Sequence, residues 1–321
     1  LAYDRGWLPT IRASVPVVSV GNLTVGGTGK TPVVEMIARW FRDRDVRAAV
    51  LSRGYGAAAG PNDEAMVLRE NLPDVPQLQG ADRVKLAEIA ATRCGCELLV
   101  LDDGMQHRRI HRDLEIVLVD ALCPFGGGWT LPGGLLREAV SGIARADVVG
   151  VTRCDAVSRS ELDGVVRRIR RSAGERPIVE IQLRPAELLA PARSLESFAG
   201  WWSSDPSCLS GRSILAFCGV GNPEAFRRSL EQLGVRVVDF LVYDDHRRYT
   251  AEDVRRLSTW AAAHNVDLVA TTQKDWVKLR VGDLGGRPLA VLRVEAVALA
   301  GRRAFEEALE AVRPTRRRGA S

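Results

Sequence analysis

The stretch Pro16-Val17-Val18-Ser19-Val20-Gly21-Asn22-Leu23-Thr24-Val25-Gly26-Gly27-Thr28-Gly29-Lys30-Thr31 runs from an apolar strand through a glycine-rich turn into a helical pattern. That order is what a triphosphate-binding loop requires. Glycines let backbone N–H groups approach phosphate oxygens, and the helix N-terminus adds its positive dipole end. Lys30 reaches the β- and γ-phosphates, the Thr31 hydroxyl can ligand Mg²⁺, and Thr24, Val25, Gly26, Gly27, Thr28 and Gly29 form the cradle. Thr24 stands where the common form of the loop has its first glycine, so this is a variant.

Working outward, further apolar runs are expected as strands at Arg47 to Ser52, Glu97 to Leu101, Glu115 to Val119, Asp147 to Thr152 and Pro177 to Leu183. Helical patterns lie between several of them, clearest at Thr31 to Arg44, Ala81 to Arg93 and Ser158 to Ser172. Continuous apolar strands alternating with helices predict a parallel sheet covered on both faces, an α/β fold of the P-loop NTPase type. The pattern lapses over 190–212 and a second alternation follows. The expected organisation is therefore a nucleotide-binding domain over 1–189, a linker over 190–212 and a smaller α/β domain over 213–321.

Composition narrows the classes. The 321 residues are 46% hydrophobic and 26% charged, an ordinary globular balance that argues against disorder or a coiled coil. No apolar run approaches the roughly 18 residues of a membrane-spanning helix. The net charge of +5 suits a phosphate-rich ligand or an anionic surface. Lysines are scarce (Lys30, Lys85, Lys274 and Lys278), which makes Lys30 at the loop more telling. The six cysteines lack metal-site or disulfide-scaffold spacing and are expected as reduced thiols. No helix-turn-helix, zinc or aromatic-platform motif supports nucleic acid as a partner.

A second strand ends in Asp102-Asp103, and carboxylates at that edge of a parallel sheet lie beside the phosphate loop, where they can hold Mg²⁺. Triphosphate and metal do not name an acceptor. Further segments do so by resemblance: Ser52-Arg53-Gly54-Tyr55-Gly56, Asn62-Asp63-Glu64-Ala65, Gly80-Ala81-Asp82-Arg83, Asp102-Asp103-Gly104-Met105-Gln106-His107, Leu136-Arg137-Glu138, Gly219-Val220-Gly221-Asn222-Pro223, Asp245-His246 and Thr272-Gln273-Lys274-Asp275. With the loop, and in this order, the chain resembles the tetraacyldisaccharide 4'-kinase family, the lipid A 4'-kinases of Gram-negative bacteria. Met105 and Ala139 depart from the family's usual residues without removing a functional group.

The resemblance implies transfer of the ATP γ-phosphoryl group to the 4'-hydroxyl of a tetraacyldisaccharide 1-phosphate at the cytoplasmic face of the bacterial inner membrane, by a peripheral protein. It implies Asp63 as the base that takes the hydroxyl proton and His246, on the other domain, as its orienting partner, assembled by closure of the cleft. Lys30 joins them as a catalytic group. Thr31, Asp102, Asp103 and Glu138 are the metal candidates, and Asn62, Glu64, Gln106, His107 and Arg137 are the acceptor-site candidates. Read without the family, Asp63 is a turn or helix-cap residue and His246 a solvated surface histidine, Gln106 and His107 could instead hold the loop, and Arg137 could pair with a carboxylate. Contact with an anionic membrane is expected from Arg313, Arg316, Arg317 and Arg318 and from Trp201-Trp202.

One other class shares the loop. Gly26-Gly27-Thr28-Gly29-Lys30-Thr31 also resembles ParA-like ATPases and metallochaperone GTPases, but Val25 occupies the position of their signature lysine. Thr152-Arg153-Cys154-Asp155 is a degenerate echo of a guanine reader, with arginine in place of its lysine. A regulatory nucleotide switch is the alternative reading.

Overall fold

The structure is a computed structural model that describes residues 3, 5–54, 62–189 and 204–314. Tyr55 and Gly56, the 190–203 part of the expected linker, Trp201, Trp202 and Arg316 to Arg318 lie outside the described residues. The fold is α/β, as expected, and its contacts divide the chain into two units, 1–183 with 296–321 and 184–295.

The first unit is built on strands β1 (Val17–Asn22), β2 (Ala48–Ser52), β3 (Gln77–Gln79), β4 (Leu98–Asp102), β5 (Leu114–Asp120), β6 (Val148–Thr152) and the start of β7 (Ile178–Leu189). They lie in the order β3-β2-β4-β1-β5-β6-β7, every pair parallel. Helices α1 (Lys30–Arg42), α2 (Asp63–Asn71), α3 (Arg83–Thr92) and α4 (Arg159–Ala173) cover it. A parallel sheet buries both faces, and β1, β4 and β6 are accordingly buried at every position. Helix α1 turns Val33, Val34, Ile37, Ala38 and Phe41 to one core, and α4 turns Leu162, Val165 and Ile169 to another. Because β1 and β4 are neighbours with Val20 opposite Asp102, the phosphate loop and Asp102-Asp103 emerge at the same sheet edge.

The second unit holds the rest of β7, β8 (Ser213–Cys218), β9 (Arg236–Val242), β10 (Leu268–Thr272), β11 (Asp283–Leu284) and most of β12 (Arg287–Ala298), with helices α5 (Pro223–Gln232), α6 (Ala251–Ala262) and α7 (Gln273–Leu279). Its strands run β12-β10-β8-β9 in parallel, and β11 pairs antiparallel with β12.

The unit boundaries differ from the expected ones. The final helix α8 (Arg302–Ala311) belongs to the first unit, not the second. Phe305 and Leu309 bury in the core that holds Val179 and Ile181, and two backbone bonds lock the returning chain: Leu299 N–H donates to the Glu180 carbonyl at 2.8 Å and Glu180 N–H donates to the Ala300 carbonyl at 2.9 Å. The chain thus passes between units twice, within β7 and within β12. Among the described residues no helix is long and apolar enough to cross a membrane.

Candidate active site

The loop after β1 is shaped by glycine. Gly26 and Gly29 have φ of 99° and 80°, and a Cβ on Gly29 would sit 2.6 Å from Leu183 Cδ1, so this helix start requires glycine on two counts. Helix α1 begins at Gly29 with no side-chain cap and no acid in its first turn. Its first N–H groups are therefore left to an external anion, and Thr31 sits in that turn.

Lys30 and Asp103 are held by a polar cluster. Lys30 Nζ donates to Asn22 Oδ1 at 3.1 Å and lies 3.6 Å from Asp103 Oδ1. Asn22, fully buried at the end of β1, uses its Nδ2 to donate to the Thr24 carbonyl at 2.8 Å, so it braces the loop and aims the lysine together. Arg137 Nη1 donates to both oxygens of Asp103 at 2.8 and 2.7 Å. Burial pushes the Asp103 carboxyl up, but Lys30 and Arg137 outweigh it and hold the group below the usual carboxylate range.

Asp102 is the contrasting carboxyl. It is buried, its Oδ1 has no hydrogen-bond partner among the described residues, and burial followed by the Glu64 charge pushes its pKa up to about 7. Adjacent in sequence, the two aspartates differ because Asp103 has left the strand at φ 56° and turned to the cations, while Asp102 remains in it.

Gln106 donates from Nε2 to the Asn22 carbonyl at 3.0 Å and to Glu138 Oε1 at 2.9 Å, and Arg145 Nη2 donates to both Glu138 oxygens at 2.8 and 2.7 Å. His107 is half-buried, its Nε2 has no partner among the described residues, and burial, Arg83 and Arg112 lower its pKa. Asn62 caps α2, accepting from the Ala65 N–H at 3.0 Å and donating to Glu64 Oε2 at 3.0 Å. Asp63 is the first residue of that helix and is buried, with Oδ1 accepting the Glu64 N–H at 3.1 Å.

His246 belongs to the second unit. It follows β9 on an exposed turn at φ 59°, its backbone N–H donates to Asp245 Oδ1 at 3.0 Å, and Lys274 Nζ donates to the same oxygen at 3.1 Å. The nearby Thr272 to Asp275 segment is structural: fully buried Asp275 accepts from the Gly219 N–H at 2.9 Å, Tyr249 Oη at 2.9 Å and Thr272 Oγ1 at 2.7 Å, which ties together the ends of β8 and β10.

Three residues brace the site in ways that no motif shows. Arg153 forms an ion pair with Asp120 and donates from Nη2 to the Gly27 carbonyl at 2.7 Å, and Thr152 Oγ1 donates to the Thr28 carbonyl at 2.9 Å. The segment that echoes a guanine reader is thus spent on the loop's own backbone. Gln79 likewise spans Ser52 Oγ at 3.0 Å and Asn62 Oδ1 at 2.8 Å, fixing the start of α2; nothing in its sequence context marks it.

The sequence model of the tetraacyldisaccharide-1-P 4'-kinase family matches residues 1–313. The tetraacyldisaccharide 4'-kinase of Syntrophus aciditrophicus is 35% identical over 312 aligned positions, covering 91% of this chain and 83% of that one. The tetraacyldisaccharide 4'-kinase of Anaeromyxobacter dehalogenans is 39% identical over 330 aligned positions, covering 96% and 84%. Among solved structures, LpxK from Aquifex aeolicus in complex with ATP superposes with a TM-score of 0.73 at 26% identity, over 98% of this chain and 93% of that one. A glycine-shaped phosphate loop, a lysine aimed by a buried asparagine and a match along nearly the whole sequence converge on one conclusion: the chain belongs to the tetraacyldisaccharide 4'-kinase family.

Proposed function

We propose that the cluster around Lys30 carries out the family's reaction, transfer of the ATP γ-phosphoryl group to the 4'-hydroxyl of tetraacyldisaccharide 1-phosphate in lipid A biosynthesis. The observation that carries this is Lys30 lying between Asn22 and Asp103 at the uncapped start of α1. The loop amides from Gly26 to Thr31 and the Lys30 ammonium stabilise charge on the transferring group. Arg137, released from Asp103 or shared with it, supplies a further cation to a substrate phosphate.

The donor set fits Mg²⁺. The buried, unpartnered Asp102 Oδ1 is an oxygen that a cation would satisfy, and Asp103, Thr31 and Glu138 offer further hard oxygens. When bound, the ion neutralises charge across the β- and γ-phosphates. Glu138 joins that set only by giving up an Arg145 bond, so Asp102, Asp103 and Thr31 are the stronger ligands.

Asp63 is the proposed base and His246 its partner, roles that rest on the family pattern. Placement at the first turn of α2 supports a fixed carboxylate at Asp63. Asn62, Glu64, Gln106 and His107 are proposed to face the acceptor, with Asn62 and Gln106 also holding the backbone. The protein would act as a peripheral enzyme on the cytoplasmic face of the inner membrane, where a four-chain lipid acceptor resides.

Two substitutions test the roles, with phosphorylated lipid and bound ATP measured separately. Asp63→Ala is expected to abolish lipid phosphorylation while ATP still binds, whereas Lys30→Ala should weaken ATP handling itself. An equal loss of ATP binding in both variants would overturn the assignment of Asp63.

A further inference from the structure

The loop over 124–136 carries three large apolar side chains facing solvent: Trp129 at 74% exposure, Leu131 at 52% and Leu135 at 45%. The loop is built rather than slack. Phe125, Gly126, Gly127 and Gly128 all have φ between 52° and 89°, a run that needs glycine and curls the chain back on itself. Leu131 N–H donates to the Leu136 carbonyl at 2.9 Å, Leu136 N–H to the Trp129 carbonyl at 3.0 Å, and Gly133 N–H to the Thr130 carbonyl at 2.9 Å. Buried Phe125 and Leu136 anchor its base in the core, so Trp129, Leu131 and Leu135 are left outside a closed, self-bonded knot.

A basic rim adjoins it. Arg168 of α4 lies over the Phe125 ring, 4.7 Å from its centroid. Arg171 lies four residues after Arg167 and three after Arg168 on the same helix, so it sits between them on one face. All three are exposed, and none enters an ion pair among the described residues. A tryptophan with leucines beside unpaired arginines is the composition of a membrane-interface surface: the indole sits at headgroup depth, the leucines enter the acyl region and the guanidinium groups meet anionic lipid.

The knot is also continuous with the phosphate loop. Val25 N–H donates to the Leu135 carbonyl at 2.8 Å, Arg137 N–H donates to the Leu23 carbonyl at 2.7 Å, and Arg137 and Glu138 follow it directly in sequence. We propose that Trp129, Leu131 and Leu135, with Arg167, Arg168 and Arg171, dock this protein on an anionic phospholipid bilayer and so set the height of the phosphate loop above the surface that holds its lipid acceptor. The proposal rests on the lipid-kinase reading and adds the surface that brings enzyme and acceptor together.

The test uses the full chain, unilamellar vesicles of phosphatidylglycerol and phosphatidylethanolamine, and neutral vesicles of phosphatidylcholine. Partition measured by sedimentation should favour the anionic vesicles. The triple variant Trp129→Ser, Leu131→Ser, Leu135→Ser should lose at least tenfold in partition, and Arg167→Glu, Arg168→Glu, Arg171→Glu should remove the preference for anionic vesicles. Phosphorylation of acceptor dispersed in detergent should stay at the wild-type rate in both, while KM for acceptor in vesicles rises. Loss of detergent-phase activity in the wild type would refute the kinase reading, which separates the two claims. For a readout independent of the substitutions' folding, bromine-labelled lipid should quench wild-type fluorescence more than that of Trp129→Phe. Unchanged partition, equal quenching, a dimer that the triple variant dissolves, or a raised KM confined to detergent-dispersed acceptor would each overturn the proposal, the last two by assigning the patch to a second copy or to the acceptor's own chains.

Discussion

Arg153 is the sharpest place to perturb the nucleotide site without touching a residue that meets the substrate. Its side chain is 11% exposed, that of Asp120 is 12%, and one guanidinium serves both Asp120 and the Gly27 carbonyl of the phosphate loop. Arg153→Ala leaves a largely buried carboxylate without its cation, a class of loss of about 3–5 kcal/mol. It also removes a charged hydrogen bond from the loop, about 1.5–3 kcal/mol. The two terms share one side chain and do not add, so a fall of about 3 kcal/mol in unfolding free energy is expected by denaturant titration. The loop's share should appear as a rise of roughly tenfold to a hundredfold in the ATP dissociation constant, measured by calorimetry with a non-hydrolysable analogue. Arg153→Lys, which keeps the charge but cannot serve both acceptors through a planar fork, should fall between. If Arg153→Ala lost stability yet bound ATP within about twofold of wild type, the tether would be shown not to order the loop.

Gly29→Ala should destabilise the protein by about 1–2 kcal/mol and weaken ATP binding, because φ is 80° and the new Cβ meets Leu183; adding Leu183→Ala should restore part of the ATP affinity but not the backbone cost, which a double-mutant cycle would read. Asp253→Ala in α6 should cost about 1 kcal/mol at neutral pH by loss of its reciprocal cap with Thr250. The hydrogen bond from Arg247, then those from Thr250, lower the Asp253 pKa to about 2. A depressed carboxyl stabilises the fold above its unfolded value and loses that contribution as pH falls toward about 2, so the thermal difference between Asp253→Ala and wild type should shrink as pH falls from the ordinary carboxylate range to about 2. A difference independent of pH would count against the ion pair. Asn22→Ala should raise KM for ATP by about tenfold with its larger effect on loop order than on folding, since one side chain holds both Thr24 and Lys30; equal KM values in kinetic assays would refute that coupling.

Much of this was legible in the sequence because strand burial and loop chemistry are local. Val17 to Val20 and Leu98 to Leu101 are apolar throughout, as strands buried on both faces must be, and the glycines of the phosphate loop sit where backbone geometry demands them. Short helices were not legible. Helix α2 spans Asp63–Asn71 with its apolar residues poorly aligned on one face, and α7 spans only Gln273–Leu279, too short for a period to repeat. The final helix is legible as a helix but its unit is not, since an amphipathic pattern says that one face is buried and not against what. At the site, motif order pointed to Lys30, Asp102, Asp103 and Arg137, yet the split between the two aspartates depends on a single positive φ, and the Arg153 and Gln79 braces depend on partners 126 and 17 residues away. Distant pairings of this kind leave no mark on a single sequence.

The double crossing within β7 and β12 makes residues 184–295 an insertion into the first unit. During synthesis the inserted unit emerges whole before the helix that completes its host, so it can fold while the nucleotide-binding unit still lacks Phe305 and Leu309. A chain made only to residue 295 would therefore carry every residue of the inserted unit while Val179 and Ile181 still lacked Phe305 and Leu309. Helix α8 thus governs when the core it shares with Val33 and Val34 of α1 is completed, and damage to it should be felt in the unit that carries the phosphate loop.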